Sequence, residues 1–249
     1  MSRYKLRANY DIENIDSQKM DGTVIVDVPM LSNGELNYGL SHIKKKLYEE
    51  NVYPSEIGFD IMSLATMVYM ADTRIERVVH GQDSWTREIE LEIPVSNVEI
   101  WDSQIHTVER MLKFLTGDLW KITLSSRAWQ FNNLEEVREK SNKYDEVSLF
   151  SGGMDSLIST INLMENKKNT LLISHAGEGL TKNAQKNIVN KFDLLYPDVL
   201  HTWLDLWMVF PRDYIPAGGN DNNTRSRSFL FIGYALFAMT GMDNINELL

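Results

Sequence analysis

The second half of the sequence alternates between short apolar runs and longer amphipathic segments, and this alternation restricts the fold more than any other feature. Short runs rich in β-branched and aromatic residues predict buried strands, whereas the longer segments predict helices. The predicted order is a strand at 146–150, a helix at 155–165, a strand at 171–173, a helix at 181–196, a strand at 199–206 and a helix at 226–240. Such short connections predict a parallel sheet with helices on both faces, which is an α/β fold.

The first half of the sequence mixes strands and helices less regularly, which predicts a smaller α+β domain. Its predicted elements are strands at 23–28, 86–95 and 120–124 and helices at 41–50, from 54 onward and from 102 to Gly117. Residues 1–22 are polar and are predicted to be irregular. Apolar residues alternate with glutamates along 86–95, a pattern typical of a half-buried antiparallel strand. We place a connecting helix at 125–144, so the predicted domains are 1–144 and 145–249.

The sharpest motif of the chain lies between the strand at 146–150 and the helix that follows it: Ser151-Gly152-Gly153-Met154-Asp155-Ser156. Two glycines let the backbone turn tightly and approach an anion. The N–H groups of the first helical turn point at such an anion, and the helix dipole favours its negative charge. The two serines add hydroxyl donors, and Asp155 suits a helix cap or a magnesium ligand. The alternative is a strand–turn–helix corner that uses the glycines for geometry alone.

This motif differs from two familiar nucleotide-binding loops. A Walker loop requires a lysine that is absent here, and the dinucleotide-binding fingerprint requires a third glycine. The hexapeptide instead resembles the phosphate loop of the PP-loop ATP pyrophosphatases. That resemblance implies an adenine-nucleotide α-hydrolase-like sheet, with ATP and Mg²⁺ as cofactors. It also implies that ATP is cut between its α and β phosphates while a carboxylate or amide oxygen of the substrate is adenylated.

Two segments farther along the chain narrow the resemblance. His175 follows a predicted strand, and Arg225 and Arg227 open the last apolar helix. Over about residues 145–243 this layout resembles the 7-cyano-7-deazaguanine synthases, which are ligases that make a nitrile from 7-carboxy-7-deazaguanine, ammonia and ATP. The substrate implied is a carboxylate, on a small molecule or on a partner protein. A nucleotide-binding scaffold or sensor without turnover is the alternative function.

The first half resembles the N-terminal extension of synthase-like proteins from bacterial anti-phage defence operons. The segments that carry this resemblance are Tyr69–Arg77, Trp85–Arg87 and Phe114–Trp120. It implies a function in antiviral defence, with other proteins of such an operon as partners. For most of these positions we favour the alternative that they are packing residues, with Trp and Arg stacked on each other, because no nucleophile–base pair is legible among them.

The predicted site combines the loop with three residues outside it. The predicted ATP-binding residues are Ser151, Gly152, Gly153, Met154, Asp155, Ser156 and His175, and the predicted catalytic residues are Ser151, Asp155, Arg225 and Arg227. The two arginines suit a clamp on phosphates or on the substrate carboxylate, the alternative being surface charge. His175 suits a pocket wall or a structural position. The polar loop at 218–223 suits a lid or a surface turn, and no histidine shows metal-ligand spacing.

Charge and composition exclude several other functions. With 25 basic and 35 acidic residues the net charge is −10, which disfavours a basic nucleic-acid-binding surface, so an anionic ligand must be held by local donors. The chain has no cysteine, which excludes disulfides, thiolate-bound metals and a thiol nucleophile. An apolar run long enough for a membrane span and a signal peptide are both lacking, so no membrane association and a cytoplasmic location are predicted.

The sequence also departs from the family that it resembles. Members of that family carry a C-terminal cysteine cluster that binds zinc, which this chain lacks. We expect a further strand after residue 243, and we expect the C-terminal part of the family fold to be missing and the substrate pocket incomplete. The helix at 226–240 is apolar on several faces, which predicts a homodimer or another association through 226–249.

Overall fold

The computed structural model describes residues 3–131, 141–175, 179–208, 210–222, 225–243, 245 and 248–249. The chain forms two compact units that interleave in sequence, unlike the predicted division at residue 144. The first comprises Met1–Tyr38, Phe59–Asn133 and Phe210–Leu230, and the second comprises Gly39–Gly58, Leu134–Val209 and Phe231–Leu249. Within the predicted connecting helix at 125–144, residues 132–140 lie outside the described residues, and the described ones are not helical: residues 125 and 126 end a strand.

Parallel strands predominate in both units, so the predicted α/β class is confirmed, whereas the α+β class predicted for the first half is wrong. The strands are β1 (Arg3–Asn9), β2 (Asp16–Met20), β3 (Thr23–Pro29), β4 (Leu31–Ser32), β5 (Glu35–Leu36), β6 (Glu88–Val95), β7 (Leu119–Ser126), β8 (Glu146–Leu149), β9 (Thr170–His175) and β10 (His201–Leu206). The helices are α1 (Leu40–Glu49), α2 (Glu56–Arg74), α3 (Arg77–His80), α4 (Val98–Asp102), α5 (Ile105–Thr116), α6 (Met154–Glu165), α7 (Gly179–Leu195) and α8 (Arg227–Met239).

The sheet of the first unit has the strand order β2-β3-β1-β6-β7. Only its edge strand β2 runs antiparallel to its neighbour, whereas β3, β1, β6 and β7 are mutually parallel. The alternating burial predicted for β6 is confirmed, but the predicted antiparallel direction is wrong. Alternation reports which face of a strand is buried and carries no information on the direction of neighbours that come from distant parts of the chain.

Strand β1 lies at the centre of this sheet, so the prediction that residues 1–22 are irregular is wrong. Its apolar side chains Tyr4, Leu6 and Ala8 are buried. The cationic residues between them obscure the strand pattern, and each pairs with an acidic residue of a neighbouring strand: Arg3 with Glu88, Lys5 with Glu92 and Arg7 with Asp27. Cross-strand pairs of opposite charge stabilise a sheet, which reconciles the polar sequence with the central position.

Helix α2 is buried over most of its length and carries two aspartates, Asp60 and Asp72, into the interior. Arg127 donates to Asp60 Oδ1 at 2.8 Å. The backbone N–H of Ser96 donates to Asp60 Oδ2 at 2.9 Å. A buried carboxylate is tolerated only when charge and hydrogen bonds compensate for lost hydration, and Asp60 has both.

The second aspartate of α2 belongs to a larger buried ion cluster, which we call the Asp72–Asp118 cluster. Arg87 Nη2 donates to Asp72 Oδ1 at 2.5 Å and to Asp118 Oδ2 at 2.6 Å. Arg77 reaches both carboxylate oxygens of Asp118, at 2.6 and 2.9 Å. All four side chains are buried. The charges of these side chains are therefore stabilised by one another rather than by hydration.

The same cluster anchors the segment from Phe210 to Leu230 to the first unit. The backbone N–H of Ser226 donates to Asp72 Oδ2 at 2.9 Å, and that of Arg77 donates to Asp221 Oδ2 at 3.1 Å. Glu76 N donates to Gly218 O at 2.7 Å. These bonds explain why this segment groups with residues far earlier in the chain.

The second unit is built on the parallel sheet β10-β9-β8. Strand β9 is buried along its whole length because helices cover it on both sides. On one face α6 and α7 pack around Phe150, Leu172 and Phe192. On the other face the ring of His175 lies 5.9 Å from that of Tyr234 in α8. The predicted sheet with helices on both faces is confirmed.

Helix α8 is largely buried, and of its large apolar side chains Ile232 is the most exposed, at 38%. The expectation of association through 226–249 assumed that this helix lacks cover within the chain. That assumption is wrong, because Leu230, Tyr234, Ala235, Phe237 and Ala238 are all buried. Self-association itself stays a prediction that no observation tests.

Substituting Asp118→Asn should destabilise the first unit by about 3–5 kcal/mol, because it leaves Arg77 and Arg87 buried with too little compensating charge. Burial acts to raise the pKa of Asp118, but hydrogen bonds and charge from Arg87 and Arg77 outweigh it and hold the pKa below its usual value. The stabilisation is therefore present above the unfolded-state pKa of about 4 and is lost as pH falls through the lower folded-state pKa.

Urea unfolding as a function of pH tests this prediction, with the exposed residue Asp102 as the matched control. The parent and Asp102→Asn should lose stability together below about pH 4. At neutral pH Asp118→Asn should have a lower free energy of unfolding than the parent. Its free energy of unfolding should also fall less steeply as the pH is lowered below about 4. Equal stability of the two variants at neutral pH would contradict the importance of the cluster.

Candidate functional site

The predicted phosphate loop connects the end of β8 to the start of α6. Phe150 follows β8, is fully buried, and donates its backbone N–H to Ile173 O of β9 at 2.7 Å. After it the chain turns outward, and Ser151, Gly153, Met154 and Asp155 are exposed, Met154 by 71%. The loop is therefore anchored by the sheet at one end and open to solvent at the carboxyl end of a parallel strand.

Strand β8 is also the point at which the direction of strand addition reverses. From β8 the chain proceeds to β9 and β10 on one side, and Leu248 and Leu249 then pair with β8 on the other side, in parallel. Leu149 N donates to Leu249 O at 2.8 Å. This pairing is an isolated bridge rather than a strand, so the strand expected after residue 243 stays a prediction. Doubly wound sheets bind ligands beyond the carboxyl ends of the strands at such a switch point, which is where the loop lies.

Gly152 adopts a conformation that favours glycine, with φ at +83°. A Cβ at this position would lie 3.0 Å from Cγ of Gln185, so both backbone and space favour the absence of a side chain. The buried Gln185 of α7 donates from Nε2 to Ser151 O at 3.0 Å. Sequence reasoning missed Gln185, because a contact across 34 residues leaves no local pattern.

The two serines of the loop hold its turn closed. Gly153 N donates to Ser151 Oγ at 3.2 Å, and Ser156 Oγ donates to Gly153 O at 3.0 Å. The two hydroxyl oxygens lie 3.1 Å apart. In this arrangement the hydroxyls stabilise the loop itself, so backbone N–H groups are the main donors that it offers to a ligand.

The start of α6 is the part of the loop best suited to an anion. Its N-cap residue is Gly153, which has no side chain to cap the helix, and Leu157 N bonds back to Gly153 O at 3.0 Å. The first N–H groups of a helix have no acceptor within the helix, and here these belong to Met154, Asp155 and Ser156. A glycine cap, exposed N–H donors and the helix dipole together fit a phosphate chain.

A magnesium ion would require oxygen ligands beside those phosphates. Asp155 is the acidic residue in the first turn of α6, and its side chain is exposed. Mg²⁺ is commonly held by one or two carboxylates together with substrate phosphates and water, so one aspartate at this position fits. Among the described residues no group of three or more acidic residues or histidines could hold a metal ion by itself.

His175 lies at the end of β9 and is 1% exposed. Its ring is tilted by 31° against that of Tyr234. This burial favours the structural position over the pocket wall, and its predicted contact with ATP stays a prediction.

Arg225 and Arg227 belong to the first unit, whereas the loop belongs to the second. Arg225 precedes α8, donates from Nη1 to Thr116 O at 2.8 Å and lies 4.4 Å from the ring centre of Trp85. Arg227 is the first residue of α8. Residues 151–156 therefore form one loop, as predicted. Arg225 instead contacts Thr116 and Trp85 of its own unit, which belong to segments that the sequence analysis interpreted as packing.

The packing interpretation of the N-terminal segments agrees with the structure. Asp72, Arg77, Arg87 and Asp118 form the buried ion cluster, and Trp85 stacks on Arg225.

Comparisons with protein-family models, with curated proteins and with solved structures found no match. The resemblance to the PP-loop ATP pyrophosphatases thus stays a prediction based on the motif. Separately, no helix in the described ranges has the length and apolar character needed to cross a membrane.

Substituting Gly153→Ala should weaken ATP binding about 10- to 100-fold, the usual effect of losing a hydrogen bond to a charged group. The new Cβ would stand where the backbone must approach phosphate. Among the described residues it would meet only Ser151 Oγ, at 3.4 Å, so the fold should tolerate it. Calorimetric titration with Mg-ATP measures the change.

Gly152→Ala is the contrasting variant. An alanine there would be strained by the positive φ and would press against Gln185, so it should also lower the melting temperature. The melting temperature of Gly153→Ala should match the parent. Binding of ATP by Gly153→Ala as tightly as by the parent would mean that the nucleotide binds elsewhere.

Proposed function

We propose that this chain binds ATP with Mg²⁺ at residues 151–156 and transfers AMP to a carboxylate, releasing pyrophosphate. One observation supports this most strongly: the Ser-Gly-Gly-Met-Asp-Ser loop joins a buried parallel strand to a helix whose N-cap is an exposed glycine. In this loop the uncapped end of α6 faces solvent beside a switch point in the sheet, where ligands bind in such folds. The alternative, a turn that uses its glycines for geometry alone, does not account for that position.

In this proposal catalysis is mainly electrostatic. The N–H groups of Met154, Asp155 and Ser156 bind the β and γ phosphates and stabilise the negative charge that collects on them. The substrate carboxylate attacks the α phosphorus, and the bond to the β phosphate breaks, so that pyrophosphate leaves. Magnesium bound near Asp155 would neutralise part of that charge. This chemistry requires no general acid or base from the chain.

The arginines predicted as clamps contribute less to this proposal than the loop does. Arg225 would have to leave Thr116 and Trp85 to reach a ligand. Arg227 is the first residue of α8 and stays a predicted clamp for the substrate carboxylate. The chemical identity of that substrate, a deazaguanine-like base or a partner protein, and the function in antiviral defence follow only from the resemblance.

Incubation with ATP labelled at the α phosphate and a carboxylate acceptor should release pyrophosphate and form the labelled acyl-adenylate, because the β and γ phosphates leave as one group. Attack of water on the acyl carbon of that adenylate then returns the carboxylate and yields labelled AMP. Chromatography separates AMP from ADP. Asp155→Asn should lower the rate at limiting magnesium, whereas Asp198→Asn, an exposed aspartate of the same unit, should not.

ADP as the main product would contradict the proposal in favour of an ordinary ATPase. Tight binding of ATP with no turnover, in the presence of carboxylate acceptors, would favour the alternative of a nucleotide sensor or scaffold.

A further inference from the structure

The first unit contains a polar cleft that the proposed ATP site does not use. Its volume is about 290 Å³, and its described lining residues are Arg74, Arg212, Asn220 and Asn222. Arg74 ends α2, and the other three belong to the segment that follows Phe210. All four lie within the first unit, whereas the phosphate loop lies in the second.

Arg74 is held in place by three backbone carbonyls. Its Nε donates to Pro211 O at 2.8 Å, its Nη1 to Thr73 O at 2.9 Å and its Nη2 to Phe210 O at 2.6 Å. A guanidinium has five N–H donors, so these three bonds leave two for a ligand. Because the side chain is already ordered, binding at those two donors costs little conformational entropy.

The opposite wall of the cleft is fastened to the same helix end. Asp221 N donates to Thr73 O at 3.0 Å, and a Cβ on Gly218 would lie only 2.3 Å from Arg74 O. Asn220 exchanges hydrogen bonds with Asp213, which holds Asn220 at the edge of the cleft. Hydrogen bonds therefore hold the segments on both sides of the cleft in place.

The described lining of the cleft carries two arginines and no acidic residue. Within the described part of the chain neither Arg74 nor Arg212 forms a salt bridge, and Arg212 forms no hydrogen bond. Burial lowers the pKa of Arg74; the neighbouring charge of Arg212 also acts to lower it, while Tyr69 and Asp213 act to raise it. A bound anion would pair with the two arginines that line the cleft.

We propose that this cleft binds a small, strongly anionic compound through a phosphate or pyrophosphate group. Its described lining is made only of arginine and asparagine, so recognition rests on charge and N–H donors rather than on an apolar or aromatic surface. Arginine forks and amide donors match the several oxygens of a phosphate group. The volume lies at the small end of ligand pockets, which suits a phosphate with a short organic body.

Calorimetric titration with sodium pyrophosphate tests this site in the Gly153→Ala background, in which binding at the phosphate loop is weakened. Arg212→Gln is the test variant, since loss of this exposed side chain breaks no hydrogen bond among the described residues. Arg110→Gln is the matched control, an exposed arginine of α5 in the same unit. Succinate serves as the carboxylate probe.

We expect one pyrophosphate site in the Gly153→Ala background, about tenfold or more weaker after Arg212→Gln and unchanged after Arg110→Gln. ATP turnover in the otherwise unaltered chain should survive Arg212→Gln, so this proposal and the proposed function fail separately. No pyrophosphate binding at millimolar concentration, equal loss in both arginine variants, or tighter binding of succinate than of pyrophosphate would each overturn the proposal.

Discussion

The buried pairing of aspartates with arginines is the interaction on which the first unit depends. Helix α2 brings Asp60 and Asp72 into the interior, and Arg127 and Arg87 compensate for their charge. Arg87 also donates to Ile75 O at 2.5 Å, just beyond the end of the helix. Removing one partner of such a buried pair typically costs about 3–5 kcal/mol, whereas an exposed pair contributes much less. The ions thus fix which distant segments meet at the end of α2.

The two candidate ligand sites would each bind an anion in a chain of negative net charge, but with different donors. The chain carries a net charge of −10, so an anion is attracted only where local donors outweigh that field. The loop at 151–156 offers backbone N–H groups and a helix dipole, with glycine leaving room for close approach. The cleft beside Arg74 offers guanidinium and amide groups on a segment that the Asp72–Asp118 cluster helps to hold in place. Neither site requires a basic surface.

Local patterns in the sequence predicted the local structure well. The loop, the helix that ends at Gly117 with its left-handed conformation, and the burial pattern of β6 all follow from residues close together in the chain. The hairpin of β2 and β3 had a readable signal as well, since Asp21-Gly22 forms its two-residue turn with both φ values positive, but it was overlooked.

Features that depend on distant residues were not predictable from one sequence. The charged residues of β1 look like those of a loop until their partners on neighbouring strands are known. Gln185 and Arg212 acquire their significance only from contacts across the fold. The same holds for α8, whose apolar faces predicted association, whereas the structure shows it to be buried.

The most direct test of the central claim is an amide NMR titration with the non-cleavable analogue α,β-methylene-ATP and magnesium. Labelling with ¹⁵N-glycine gives signals from 14 residues, and those of Gly152 and Gly153 are identified by the loss of each in its alanine variant. If the backbone at the start of α6 binds the phosphates, these two signals will shift most and will saturate together. Saturable shifts of other glycines, with Gly152 and Gly153 unmoved, would contradict the account.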